Sequence, residues 1–256
     1  MFSRGRLYTP AVSWHRSRAR RFAYRALIKT RVEAERRLGR ERLHGVKRRL
    51  GRLGRRNLAW LAAVHGSDKG AISHNYVEPY RTHLAPLRRR HVSVLEIGIW
   101  QGASLAMWRD YFPRGEIVGI DIEEKQVPGP RITTLTGDQG DVEFLASLER
   151  FAPFDLVVDD GSHRAEHIVT SFTALFPMLR SGGVYVIEDL QTAYHPGYGG
   201  GPPGTPGTGI DLLKHLVDAV HRAHLRPGQD VDAPPTAVLA VRAVHVYEKI
   251  AFIEKA

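Results

Sequence analysis

VSVLEIGIWQG (Val92–Gly102) is an apolar run that closes on two glycines, and its reading decides the rest of the chain. Four short runs of the same kind follow it: EIVGIDI (Glu116–Ile122), ITTLTGD (Ile132–Asp138), DLVVDD (Asp155–Asp160) and GVYVIED (Gly183–Asp189). Each is rich in β-branched residues and lacks polar alternation. Strands covered by helices on both faces read this way, which is the signature of a parallel sheet. Helical patterns at Ser104–Phe112, Asp141–Arg150 and Ala165–Leu179 separate most of them. The closing AVRAVHVYEKIAFIEKA (Ala240–Ala256) holds two further strand-like runs joined at Glu248–Lys249. That turn is too tight for a crossover helix, so the two must pair antiparallel.

The expected fold is therefore α/β and Rossmann-like: a mainly parallel seven-stranded sheet with a C-terminal antiparallel hairpin. Five parallel strands and a hairpin fit the class I methyltransferase pattern better than the paired halves of a dinucleotide dehydrogenase. Between the last parallel strand and the hairpin lies PGYGGGPPGTPGTG (Pro196–Gly209), which reads as irregular. It sits just past a strand end, where lids are found. A helix is expected at Ile210–His224.

Composition bounds the possibilities. The 256 residues, 43% hydrophobic, suit one substantial core with an extension. No apolar run reaches the roughly 18–20 residues of a membrane span, and no secretory leader is read at the N-terminus. With no cysteine, any metal must sit on oxygen or imidazole, and a reducing cytoplasm is the expected location. The net charge of +10 conceals an asymmetry. Residues 1–57 carry 19 Lys/Arg against three acids, whereas the remainder carries 18 against 24. An acidic domain (58–256) thus bears a basic Arg-rich arm (1–57). A nucleic-acid enzyme would place cations around its site as well, so nucleic acid is disfavoured as partner.

Within the arm, Leu43, Val46, Leu50 and Leu53 fall at spacings of three and four, and Trp60, Leu61 and Val64 continue them. They predict a partly helical stretch with one face packed on the domain, weakened by Gly45, Gly51 and Gly54. Residues 1–30 show no stripe and are read as disordered when free. A solvated arm is the plain reading; an anionic membrane surface or an acidic protein is the alternative partner.

The strand ends carry the chemistry. Glu96, Gly98 and Gly102 form E-x-G-x-x-x-G, where glycine lets backbone approach a ligand; Trp100 replaces the middle glycine of a dinucleotide fingerprint. Asp121 ends the second strand, where a carboxylate can accept both hydroxyls of a ribose. Asp138 and Gln139 end the third, where either can bond an adenine edge. Three polar strand tips in succession make a nucleoside cradle.

Asp159-Asp160-Gly161-Ser162-His163 and Glu188-Asp189 end the fourth and fifth strands, neighbours about 5 Å apart. Asp160, Glu188 and Asp189 would repel one another without a proton or cation. Three such oxygens suit Mg²⁺, Mn²⁺ or Ca²⁺. His163 can reach the same opening and take a proton. The same stretch matches the H-x-x-E-H zinc-protease pattern, but His163 follows a strand-ending turn, so His167 reads as a surface or packing residue. His65, His83 and His195 read as isolated and solvated. Gly66-Ser67-Asp68-Lys69-Gly70, with His74, Tyr76 and Tyr80 beyond it, reads as a polar loop whose lysine can meet a carboxylate and whose aromatics can cover a ring.

Together GSDKG…HNYVEPY, LEIGIWQGASLAMW, GIDI, GDQ, VVDDGSH, SFTALFPMLRSGGVYVIEDLQTAY and VHVYEKIAFIEK resemble the metal-dependent sugar O-methyltransferases of antibiotic biosynthesis, over residues 58–256. These are class I enzymes of the mycinamicin, demethylmacrocin and rhamnosyl type. The resemblance implies S-adenosylmethionine as cofactor, with Ser67, Lys69, Glu96, Asp121, Asp138 and Gln139 holding it; Gly98, Gly102 and Asp159 are grouped with them. It implies Asp160, Glu188 and Asp189 as Mg²⁺ ligands, His163 as general base, and a glycoside or polyol acceptor. Macrolide-sugar members carry a folded N-terminal auxiliary domain that helps build the acceptor pocket and the oligomer, where the arm stands here. Two other readings stay open: a nucleic-acid methyltransferase anchored by the arm, and a non-catalytic or oxygenase-associated component like that of cephalosporin hydroxylation.

Overall fold

A computed structural model describes residues 39–54, 57–70, 73–234, 237 and 240–256. The basic stretch 1–38, including the region read as disordered, lies outside the described residues. Two compact units divide the chain, Met1–Glu78 and Pro79–Ala256.

In the first unit the predicted stripe resolves into two helices, α1 (Arg40–Leu53) and α2 (Leu58–His65). The expectation that one helical face is packed needs correction. Leu43 is buried, but Val46, Leu50 and Leu53 are exposed. The chain breaks at Gly54, where any side chain would overlap the Trp60 ring, and the indole Nε1 donates to the Leu50 carbonyl at 3.1 Å. Asn57 caps α2 by accepting from the Trp60 amide, and Gly66 ends it in the left-handed conformation that favours glycine. His65 is buried, not solvated as read from the sequence.

Helix α3 (Val77–Leu84) leads into the second unit, where β1 (Ser93–Ile97), α4 (Ala103–Tyr111), β2 (Glu116–Asp121) and β3 (Ile132–Thr136) follow in order. Then come α5 (Val142–Ala146), β4 (Phe154–Asp159), α6 (Ala165–Leu175), β5 (Leu179–Ile187), α7 (Gly209–Val220), β6 (Val241–Val246) and β7 (Ala251–Lys255). The sheet order is β3-β2-β1-β4-β5-β7-β6. The first five strands are parallel; β7 runs antiparallel to both β5 and β6. This is the expected seven-stranded mixed sheet.

Both faces are apolar, which explains the missing alternation. Leu95, Ile97, Val118, Ile120 and Val157 share one core cluster with Ile168, Phe172 and Leu175 of α6 and Leu212, Leu213 and Leu216 of α7. Each such side chain contributes roughly 1.5–3 kcal/mol on burial. The helix reading at Ala165–Leu179 overran: α6 stops at Leu175, because Pro177 forces a short 3₁₀ turn, and β5 already starts at Leu179. The Gly/Pro segment also needs correction. Pro196–Tyr198 forms a 3₁₀ turn, and Gly200 and Gly201 donate to the carbonyls of His195 and Ala193. Thr208 then caps α7. Among the described residues no helix is long and apolar enough to cross a membrane.

Candidate active site

From β1 the chain moves outward to β2 and β3, then returns past β1 to β4. The carboxyl ends of β1 and β4 therefore flank the point where winding reverses, the position at which open α/β sheets bind ligands. Register sets the geometry there. Ile97 pairs with Ile120 and with Asp159, and Asp159 pairs with Ile187. Gly98, Asp121, Asp160 and Glu188 consequently leave four adjacent strands at one level. Gly98 holds φ +89°, and a methyl there would overlap the Asp160 carbonyl. Only glycine lets the turn after β1 lie against the turn after β4.

On the β1–β3 side, much of the polar capacity is turned inward. Asp121 Oδ2 accepts from the amides of Ile99 (2.9 Å) and Trp100 (3.2 Å), and its Oδ1 accepts from Glu123 (3.0 Å). The carboxylate thus clasps the glycine turn, in which Trp100 takes a left-handed φ of 44°. Gly102 opens α4, also left-handed, where a side chain would overlap Val127. Asp138 Oδ1 accepts from Gly140 N at 2.8 Å. Gln139, expected to read a base, is buried; its Nε2 donates to Asp159 Oδ1 (3.1 Å) and its Oε1 accepts from Ser162 N (2.7 Å). Asp159, grouped with the cofactor residues, faces the interior: Ser171 Oγ donates to its Oδ2 at 2.5 Å, and Tyr185 lies at 3.5 Å. Burial pushes the Asp159 carboxyl above its ordinary range, against the hydrogen bonds from Ser171 and Gln139 that pull it down. Burial likewise drives the Tyr185 phenol well up. Glu96 is fully buried in β1. In the other unit Ser67 and Lys69 are both buried, and Lys69 N donates to Ser67 Oγ at 3.3 Å.

On the β4–β5 side the groups converge on one opening. His163 Nε2 lies 4.0 Å from Asp160 Oδ1 and 3.6 Å from Asp189 Oδ2, and one donor atom from each of the three falls within 4.8 Å of the others. Their side chains are about one-fifth exposed or less, so they face an opening without being solvated outright. His163 (φ 57°) and Asp189 (φ 53°) are left-handed. A non-glycine residue there costs roughly 1–3 kcal/mol and persists only where its surroundings impose it. Glu188 is placed differently: it is buried, and the Tyr80 hydroxyl donates to its Oε1. Two carboxylates and an imidazole at this spacing fit a divalent, oxygen-preferring cation.

Residues 95–190 match a family model described as a methyltransferase domain. This chain has the α/β fold of a methyltransferase domain. Mycinamicin VI 2''-O-methyltransferase of Micromonospora griseorubida is 43% identical to it over 210 residues, 78% of this chain and 52% of that protein. Demethylmacrocin O-methyltransferase of Streptomyces fradiae is 48% identical over 206 residues, 76% of this chain and 52% of that one. The chain thus spans about half the length of the curated relatives it matches. The crystal structure of the MycE methyltransferase of the mycinamycin pathway, in complex with Mg, SAH and mycinamycin VI, superposes with a TM-score of 0.73 at 43% identity. That match covers 78% of this chain and 53% of that one.

The crevice also holds residues that sequence reading does not single out. Ser171 and Tyr185, which complete the Asp159 network, gave no signal beyond a helix interior and a strand run. Tyr80 shows in the sequence only as an aromatic beyond a polar loop. His167, a surface or packing residue from sequence, bonds Ser162 Oγ through Nδ1 at 2.9 Å and so braces the turn carrying His163. Its helix begins at Ala165, beyond His163, which removes the zinc-protease geometry.

Proposed function

We propose that this chain is an S-adenosylmethionine-dependent O-methyltransferase that acts on a sugar hydroxyl of a glycosylated small molecule with the help of a divalent cation. The observation that carries this reading is the convergence of Asp160, His163 and Asp189 at the switch point, backed onto the glycine turn at Gly98. The relatives named as O-methyltransferases, and the related structure holding Mg, SAH and mycinamycin VI, support it.

Asp160 and Asp189 hold the cation, with Glu188 completing the acidic set and Tyr80 fixing one of its oxygens. The bound cation supplies Lewis acidity that lowers the pKa of an acceptor hydroxyl. His163 takes the proton from that hydroxyl. The glycine turn, shaped by Asp121, with Glu96 and Asp138 nearby at the strand tips, binds the nucleoside portion of the methyl donor. Gln139 and Asp159 hold the two turns in register. Orienting donor and acceptor in one crevice is where most of the acceleration arises. A glycoside or polyol is the acceptor, and the chain works in the cytoplasm.

A second reading has a specific observation behind it. The tight set is Asp160, His163 and Asp189, so the imidazole would itself be a ligand in place of Glu188. The two readings separate in one variant: His163→Ala keeps Mn²⁺ affinity if His163 is the base and loses it if His163 is a ligand.

The test of function is incubation of the full chain with labelled S-adenosylmethionine, Mg²⁺ and a panel of glycosylated metabolites, with products identified by mass spectrometry. A labelled methyl ether on a sugar, abolished by excess EDTA, is the expected result. Transfer to RNA instead, or transfer undiminished by EDTA, contradicts the proposal.

A further inference from the structure

A second cluster of metal-binding side chains lies away from the crevice, where α3 meets the C-terminal hairpin. His83 of α3, His245 of β6 and Glu254 of β7 bring one donor atom each within 4.8 Å of one another. His83 Nδ1 stands 3.7 Å and His245 Nε2 3.2 Å from the same oxygen, Glu254 Oε1. Donor atoms on a tetrahedral zinc ion stand about 3.4 Å apart. From sequence His83 read as solvated, yet its side chain is only 6% exposed.

Two further features point to a cation. His245 Nε2 is buried and makes no hydrogen bond, although the Glu254 oxygen is near, because the angle is wrong. A buried ring nitrogen held that way is costly unless something binds it. His83 is also preset. Its Nε2 pairs with the Tyr247 hydroxyl at 3.0 Å, and its ring stacks on Phe252 at 4.3 Å, which leaves Nδ1 facing Glu254. Metal-bound histidines characteristically have the far ring nitrogen tied to such a partner. Arg242 bonds the other Glu254 oxygen, Oε2, and so leaves Oε1 to the cluster.

We propose that His83, His245 and Glu254 form a Zn²⁺ site, with solvent at the fourth position, that staples α3 to the β6–β7 hairpin. Two imidazoles and one carboxylate are a zinc donor set, distinct from the oxygen-rich set at Asp160 and Asp189. The staple has a consequence for the crevice. Tyr80, one turn before His83 on α3, also packs on Phe252 and reaches Glu188. Fixing α3 at His83 therefore steadies the hydroxyl on Glu188.

Equilibrium dialysis of the full chain against Zn²⁺ in excess Mg²⁺, with zinc counted by mass spectrometry, tests this. Wild type and Asp160→Asn should each hold one zinc per chain, and the zinc-loaded protein should melt at higher temperature. His245→Ala should weaken zinc about 100-fold or more, and Tyr247→Phe about 10-fold. Arg242→Gln should tighten it, because a competing cation leaves Glu254. Co²⁺ substituted into wild type should give four- or five-coordinate visible bands that Tyr247→Phe perturbs, a readout that serves even if His245→Ala folds poorly. No zinc on wild type, or zinc kept by His245→Ala and lost from Asp160→Asn, overturns the proposal.

Discussion

The two halves of the crevice are built from the same material, polar residues at the tips of parallel strands, but they spend it differently. At the ends of β1 to β3, Asp121 accepts from backbone amides of its own loop and of the glycine turn after β1, and Asp138 from an amide two residues on. They shape the loops at those strand tips. At the ends of β4 and β5, Asp160 and Asp189 face an imidazole across an opening, on a backbone held in sparsely populated conformations. One half is a moulded surface and the other a converging set of ionisable groups. Between them Gln139 and Asp159 form a buried brace, tied through Ser162 to the turn that carries His163. An acid at a strand tip is therefore not by itself evidence for ligand contact; where its hydrogen bonds go decides its role.

The contrast can be broken at several points. The largest effect should come from His163→Ala, with kcat lowered about 10²- to 10⁴-fold while the affinity for S-adenosylhomocysteine stays within about threefold of wild type. Comparable loss of cofactor affinity would merge the two halves. Next is Gly98→Ala, which pushes a methyl into the Asp160 carbonyl at a left-handed φ. Urea unfolding should show a loss of about 3 kcal/mol, and both halves should fail together. Asp159→Ala should cost about 2–3 kcal/mol by stranding the Gln139 amide in the interior, although Ser171 keeps the His167 carbonyl. Asp159→Asn should stay within about 1 kcal/mol of wild type, because the Ser171 hydroxyl can turn to accept. Equal losses for the two would count against the brace. The smallest effect should be Asp121→Asn, a roughly tenfold weaker affinity for S-adenosylhomocysteine by calorimetry, with Mn²⁺ affinity unchanged; tenfold corresponds to about 1.4 kcal/mol.

The fold was legible in the sequence because buried parallel strands leave an unmistakable trace. VLEI, EIVGID and DLVVD each fall within a residue or two of the observed strands, and the Glu248–Lys249 turn dictated the antiparallel hairpin. The start of β5 was not legible, since Gly182 and Gly183 look like a breaker while the backbone already pairs at Leu179. Nor was the fate of the stripe on α1: periodicity identifies a helical face but not whether anything covers it. For the crevice, spacing brought Asp160, Glu188 and Asp189 together with His163, because register makes neighbouring strand ends coincide; the structure groups Asp160, His163 and Asp189 and turns Glu188 to Tyr80. It could not show that Gln139 and Asp159 pair with each other, or that Glu188 receives the Tyr80 hydroxyl. Those contacts join residues 20 and 108 positions apart, and side-chain direction decides them. His83 was misread for the same reason, since its partners lie on the last two strands.

Crystals of the full chain soaked in Mn²⁺ and measured at the manganese edge show whether the crevice holds a cation. One anomalous peak is expected in the crevice, about 2.1 Å from a carboxylate oxygen of Asp160 and of Asp189. An ordered crevice with no peak between those two side chains would contradict it.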